Sequence, residues 1–226
     1  MGDLMLQALL VYYVAMLGVL IYASYPTKLE PHRLLFKTLT SAGFIAIAIY
    51  CAIVSGNIGF FWWMLPPLAA CLAGDVLMAI TDNHWNDVIF TAGVAAFAGA
   101  HLLFLLAISQ LYAFNPWELV LPAAVAIGMS FVGRIPGLDV GKLKAALVPY
   151  GFLVAWLFSK TLVWTIACGG SPLSWTMTIG ALLFMVSDAL LLIIYFYNRT
   201  FKPMRFLNQT TYYGGMALLA LSILLI

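Results

Sequence analysis

An all-α, polytopic membrane protein is the fold class this sequence predicts, and three observations carry it. Hydrophobic residues make up 65% of the 226 and charged residues only 8%, against roughly 45–50% and about 25% in soluble domains. The apolar residues gather into eight runs, each close to the roughly 17–25 residues that a helix needs to cross ~30 Å of hydrocarbon. The runs are joined by short connections with turn chemistry: SYPTKLEPHR, SGNIG, TDNHWND, FNP, IPGLDVG, CGGSP and NRTFKP. Residues 1–226 are therefore expected to form one integral membrane domain, with no soluble lobe. A net charge of +2, without a basic cluster interleaved with aromatics, argues against a nucleic-acid partner.

The elements follow in order. The first run, about 4–23, lacks a basic n-region and a small-residue cleavage site, so it reads as a retained span. The second, about 34–54, has Lys37 at its entrance, and the third, about 60–80, holds Asp75 within CLAGDVLMAI. The fourth, about 88–108, contains AGVAAFAGAH, whose small residues allow close helix packing around His101. The fifth spans about 118–134, and the sixth, about 144–166, carries Tyr150 and, toward its other end, Lys160. The seventh, about 174–196, is broken in polarity only by Asp188 near its centre, and the eighth, about 207–226, opens with Asn208, Gln209, Tyr212 and Tyr213.

Lys and Arg set the expected orientation. The connection between spans 1 and 2, with its flanks, holds Lys28, Arg33 and Lys37; that between 5 and 6 holds Arg134, Lys142 and Lys144; that between 7 and 8 holds Arg199, Lys202 and Arg205. Only Lys160 lies on the opposite side, so the positive-inside bias places these loops in the cytoplasm and both termini outside. In a bacterium this would be the plasma (inner) membrane. Trp62, Trp63, Trp164 and Trp175 then fall at the outer interface as an aromatic belt. Asn198-Arg199-Thr200 matches a glycosylation acceptor but lies on the cytoplasmic side and is discounted.

Asp75 lies about six residues from the cytoplasmic end of its span and Asp188 about eight or nine, which at 1.5 Å per residue puts both roughly 9–13 Å inside. Each has a small residue before it and Leu two after, Gly74-Asp75-Val76-Leu77 and Ser187-Asp188-Ala189-Leu190, and Gly43-Phe44 is echoed by Gly151-Phe152. These echoes suggest a 4+4 parallel duplication. A carboxylate at the centre of a span costs roughly 2.5–3.5 kcal/mol on insertion scales, so it usually faces a cavity and serves function. The alternative is a structural hydrogen bond between helices, with a net gain of about 0.6–2 kcal/mol.

By depth, a polar cavity opening to the cytoplasm gathers Lys37, His101, Tyr150, Asn208, Gln209, Tyr212 and Tyr213 around the two aspartates. Four of them have a plainer reading. His101 satisfies a backbone carbonyl, Tyr212 and Tyr213 anchor at the interface, and Lys37 snorkels or faces lipid. Cys51, Cys71 and Cys168 show no C-x-x-C spacing, and a Cys51–Cys168 disulfide has nothing in the odd count to support it. Asp82, His84 and Asp87 read as a solvated loop without metal-ligand spacing. No G-x-S-x-G, H-E-x-x-H or P-loop is present. An intramembrane aspartyl protease fits poorly, because Leu72-Ala73-Gly74-Asp75 lacks the first Gly of G-x-G-D and no Tyr precedes Asp188.

Two poorly solvated carboxylates can divide the labour of acid and ionised stabiliser, which suits cleavage of an acid-labile bond through an oxocarbenium-like intermediate. FAGAHLLF, GALLFMVSDALLL and TTYYGGMALLALS, with AGDVLMAI and PYGF, resemble the lysoplasmalogenase (YhhN-like) family of membrane proteins, in order from the second span to the eighth. The resemblance implies hydrolysis of the vinyl-ether bond of a lysoplasmalogen to a fatty aldehyde and glycerophospho-ethanolamine or -choline. It places Asp75 and Asp188 at the family's acidic positions, His101 at its histidine, Lys37 at its lysine, and Tyr212 and Tyr213 at its tyrosine pair. Met216 and Thr40 depart from the family pattern, where Gln and Pro are frequent.

The mechanism expected is protonation of the vinyl β-carbon by one aspartate, stabilisation of the oxocarbenium ion by the other, and attack by water. Lys37, Arg33, Lys142 and Lys144 are the expected phosphate contacts. Neither metal nor organic cofactor is required, and the expected partners are the lysophospholipid substrate and membrane lipids, with no obligate protein partner evident. A proton-coupled carrier using the same two aspartates, built from parallel repeats, is the rival reading. A scaffold in which the aspartates only hold helices together is the third.

Overall fold

The computed structural model describes residues 2–141, 144–197 and 203–226. Eight α-helices occur in chain order: α1 Gly2–Ala23, α2 Arg33–Ser55, α3 Ile58–Asn83, α4 Asp87–Ser109, α5 Val120–Phe131, α6 Lys144–Ala167, α7 Pro172–Phe196 and α8 Pro203–Leu221. Among the described residues, short 3-10 turns extend three of them, with Glu30–His32 before α2, Pro116–Leu119 and Val132–Arg134 flanking α5, and Ser222–Leu225 after α8. Every expected span has its helix within a few residues of the expected limits. Seven helical segments are long and apolar enough to cross a membrane, and the chain is an integral membrane protein. The eighth helix is the exception, because Asn208, Gln209, Thr210 and Thr211 make its first turns polar.

Local chemistry explains the boundaries. Gly56 ends α2 in the left-handed region, φ 76°, where a Cβ would be strained. Asn86 starts α4 by accepting from the N–H groups of Val88 and Ile89 at 2.9 and 3.1 Å. Ser171 caps α7 through the Ser174 N–H, with Pro172 at the first helical position. Pro66 and Pro67 lie inside α3 and Pro149 inside α6, which membrane helices tolerate when neighbours satisfy the freed backbone groups.

The chain folds as two compact units, one of Met1–Phe104 with Met216–Ile226, the other of Leu105–Gly215. In the first, α2 is central and packs on α1 and α3. The C-terminal turn closes on it, with Ser55 Oγ and Asn57 Nδ2 both donating to the Ile223 carbonyl. In the second, α6 is central and packs on α5 and α7. The glycine echo seen in the sequence has the same use in both units. A Cβ on Gly43 would lie 2.7 Å from the Tyr13 ring of α1, and one on Gly151 would lie 2.9 Å from Met129 Cγ of α5, so each central helix admits a bulky side chain from the helix before it.

Several expectations are corrected. Trp62, Trp63 and Trp175 are exposed as belt residues would be, but Trp164 is buried and stacked on Tyr112 at 6.2 Å. Asp82 belongs to α3 rather than a solvated loop, and its carboxylate is ion-paired with Arg33. Lys160 is buried, 3.2 Å from Glu118. Cys51 and Cys168 are free thiols, one buried and the other exposed, so no disulfide joins them. Lys142, Arg199, Lys202 and the Asn198-Arg199-Thr200 pattern lie outside the described residues, as does the side chain of Lys144.

Candidate functional site

In the first unit a polar ladder runs between α2 and α3. Arg33, Lys37 and Ser41 recur at intervals of four on α2, which places them on one stripe. Asp82 and Asp75, seven apart on α3, form the facing stripe. Arg33 pairs with Asp82, Lys37 Nζ lies 3.4 Å from Asp75 Oδ1, and Ser41 Oγ donates to Asp75 Oδ2 at 2.7 Å. Asp75 is 1% exposed. A carboxylate so far from water needs this pairing, because an unpaired buried charge costs several kcal/mol.

Around the ladder the neighbours are set by small residues. Gly74, beside Asp75, admits the Phe97 ring of α4, since a Cβ there would lie 2.9 Å from it. The Phe97 carbonyl in turn meets His101 Nδ1 at 2.8 Å. A carbonyl only accepts, so Nδ1 carries the hydrogen. Tyr13 of α1, buried against Gly43, is within electrostatic range of Asp75.

In the second unit Asp188 on α7 is 7% exposed and accepts from the Tyr150 hydroxyl of α6 at 2.8 Å. The preceding Ser187 anchors α8, with Asn208 Nδ2 donating to both its carbonyl and its Oγ at 2.9 Å. Tyr212 lies edge-on to Phe184 at 5.5 Å and to Tyr213 at 4.8 Å. The two helices cross closely, because a Cβ on Gly215 would come within 2.7 Å of the Gly180 carbonyl oxygen. Each unit thus holds one buried aspartate on its third helix, hydrogen-bonded by a hydroxyl from its second.

Residues 32–223 match the family model described as the YhhN family. The chain belongs to the YhhN family. Among curated proteins it is similar to lysoplasmalogenase TMEM86B of Sus scrofa, 28% identical over 182 residues, which are 79% of this chain and 71% of that protein. No solved structure matches.

Within this YhhN chain the expected site residues divide between the two units. Lys37 and Asp75 are in contact in the first, where His101 is also buried. Tyr150 and Asp188 are in contact in the second, where Asn208, Tyr212 and Tyr213 gather on α8. Lys37 is not lipid-facing, since its side chain is only 12% exposed and paired with Asp75. Tyr212 and Tyr213 are buried core residues rather than interfacial anchors. Arg33, expected at a phosphate, is engaged by Asp82.

Sequence reasoning missed two residues beside Asp75 and one buried ion pair. Ser41 was legible as the residue one turn beyond Lys37, but a serine in a membrane helix often bonds only its own backbone. Tyr13 looked like one more aromatic of an apolar span. Glu118 and Lys160 are 42 residues apart, so nothing local announced that they pair, with Trp156 Nε1 donating to the other Glu118 oxygen at 3.0 Å and the Lys160 ammonium 5.8 Å over the Tyr112 ring.

Proposed function

We propose that this protein hydrolyses the vinyl-ether bond of lysoplasmalogens, releasing a fatty aldehyde and a glycerophospho-ethanolamine or -choline. Two observations carry the reading: the YhhN family model matches through the helices that hold Asp75 and Asp188, and the chain is similar to a named lysoplasmalogenase. Two carboxylates buried in membrane helices, each with a hydroxyl donor, are groups suited to proton transfer where water is scarce. Protonation of the vinyl β-carbon gives an oxocarbenium ion. Water adds to it, and the hemiacetal collapses to aldehyde and alcohol with the proton returned. Asp75 and Asp188 are assigned these proton transfers, and Lys37, His101, Tyr150, Asn208, Tyr212 and Tyr213 are assigned to substrate binding and orientation.

The test is aldehyde release by purified protein supplied with a lysoplasmalogen, for the wild type, Asp75→Asn and Asp188→Asn. Activity in the wild type and a fall of at least ~10²-fold in both folded variants is the outcome expected of general acid–base groups. A folded wild type inert toward both head groups would overturn the assignment. The repeated build of the two units keeps one rival in play, a proton-coupled carrier with parallel halves. A carrier would move solute across sealed vesicles and leave the lipid intact.

A further inference from the structure

At the end of α7 the chain builds a shallow, open groove of about 400 Å³ lined by Gly137, Leu138, Asp139, Tyr195, Phe196 and Tyr197. Backbone pairing fixes its geometry. Leu138 forms an antiparallel bridge with Tyr197, and the Asp139 N–H donates to the Phe196 carbonyl at 2.9 Å. Gly137, at φ 85°, supplies the left-handed turn that leads the loop back to the helix end. Asp139 Oδ1 accepts the Gly141 N–H at 3.0 Å, which holds the exposed carboxylate in place beside three aromatic residues.

We propose that this groove holds the alkylammonium headgroup of a lysophospholipid, with Asp139 as counter-ion and the aromatic faces of Tyr195 and Tyr197 as cation–π surfaces. A carboxylate among aromatic rings suits a quaternary, methylated ammonium, which is weakly enough hydrated to be drawn to a π face. Spacing singles out a lipid. Tyr195 follows Asp188 by seven residues on α7, so it lies on nearly the same stripe and about 10.5 Å along the axis. From the vinyl-ether carbon to the headgroup nitrogen of a lysoplasmalogen runs a chain of about ten bonds, on the order of 12 Å when extended at roughly 1.2 Å of advance per bond. A substrate with its nitrogen in the groove therefore presents its vinyl ether at the depth of Asp188. The inference rests on the hydrolase reading for the identity of the lipid, and its test is independent of turnover.

The measurement is binding to the full-length protein in lipid nanodiscs of two saturated-ether lysolipids that lack the vinyl bond, 1-alkyl-glycerophosphocholine and 1-alkyl-glycerophosphate. The wild type should prefer the choline lipid by about tenfold, the size expected when a cation–π contact and an exposed carboxylate contact add. Asp139→Asn keeps the Oδ1 acceptor for Gly141 and removes the charge. It should erase most of that preference while leaving the affinity for 1-alkyl-glycerophosphate unchanged. No preference in the wild type, or equal weakening toward both lipids, would overturn the headgroup site. Saturation by free choline in the same concentration range would assign the groove to a free amine and overturn the lipid. In parallel, aldehyde release from choline lysoplasmalogen should show a raised KM and a retained kcat in Asp139→Asn. A wild type that fails to release aldehyde yet shows the binding preference would sink the hydrolase reading and leave the headgroup site standing.

Discussion

Asp75 shows why a membrane helix keeps a carboxylate and what would happen without its partner. Lys37 and Ser41 reach it from adjacent turns of α2, so charge and hydrogen bonding are met by one helix face. Removing one member of a buried pair leaves the other uncompensated, which costs about 3–5 kcal/mol, whereas removing both is far milder. Lys37→Met should therefore lower the unfolding midpoint in detergent sharply, and Lys37→Met with Asp75→Asn should recover much of the loss although activity stays absent. A double variant no more stable than Lys37→Met would mean that the pair contributes little to folding. Asp188 accepts from a neutral donor, the Tyr150 hydroxyl. Tyr150→Phe removes one hydrogen bond, worth about 1.5–3 kcal/mol when it goes to an ionised carboxylate, and should reduce aldehyde release by roughly tenfold or more while Asp188→Asn reduces it further.

At the scale of elements, the helices were legible in hydropathy and their partners were not. Apolar length and turn residues placed all eight helices, and Gly43-Phe44 and its echo Gly151-Phe152 fall on α2 and α6, the central helix of each unit. What the sequence did not reveal is which glycines are contacts. Gly18 and Gly43 look alike in an apolar run, yet a Cβ on Gly18 meets nothing within 4 Å while one on Gly43 lies 2.7 Å from the Tyr13 ring. Gly18→Ala should be neutral or stabilising by up to about 1 kcal/mol, since alanine is the better helix former. Gly43→Ala must push α1 from α2 or turn Tyr13 aside, an overpacking cost of typically 1–3 kcal/mol. Thermal unfolding of the two variants side by side checks this, and equal midpoints would show that the Tyr13 contact is not maintained. The Glu118–Lys160 pair was equally hidden. Its members belong to Pro116–Leu119 and α6, and only the fold brings them together.

For the whole molecule, the orientation in the membrane is the property that the basic residues predict and the cysteines can test. The positive-inside bias puts the connection between α6 and α7 outside, together with both termini. Cys168 stands in that connection, between Ala167 at the end of α6 and Pro172 at the start of α7, and it is exposed, whereas Cys51 and Cys71 are buried. Its thiol is lowered to about 7, first by the Ser171 backbone N–H and then by the Ser174 hydroxyl, with smaller help from Gly170. The thiolate is the reactive form, so the folded chain should react with a maleimide mainly at Cys168, at a rate that climbs through pH 7 and levels off above about pH 8. An ordinary exposed thiol, with its pKa near 8.5, would still be accelerating there. In intact cells a membrane-impermeant maleimide should label the wild type and not Cys168→Ser, with Cys51 and Cys71 reacting only after denaturation. Labelling of Cys168 that requires permeabilised cells would put this connection in the cytoplasm. The N-terminus would then move inside with it, because the six spans α1–α6 lie between them, and Asp139 with its groove would face the opposite compartment.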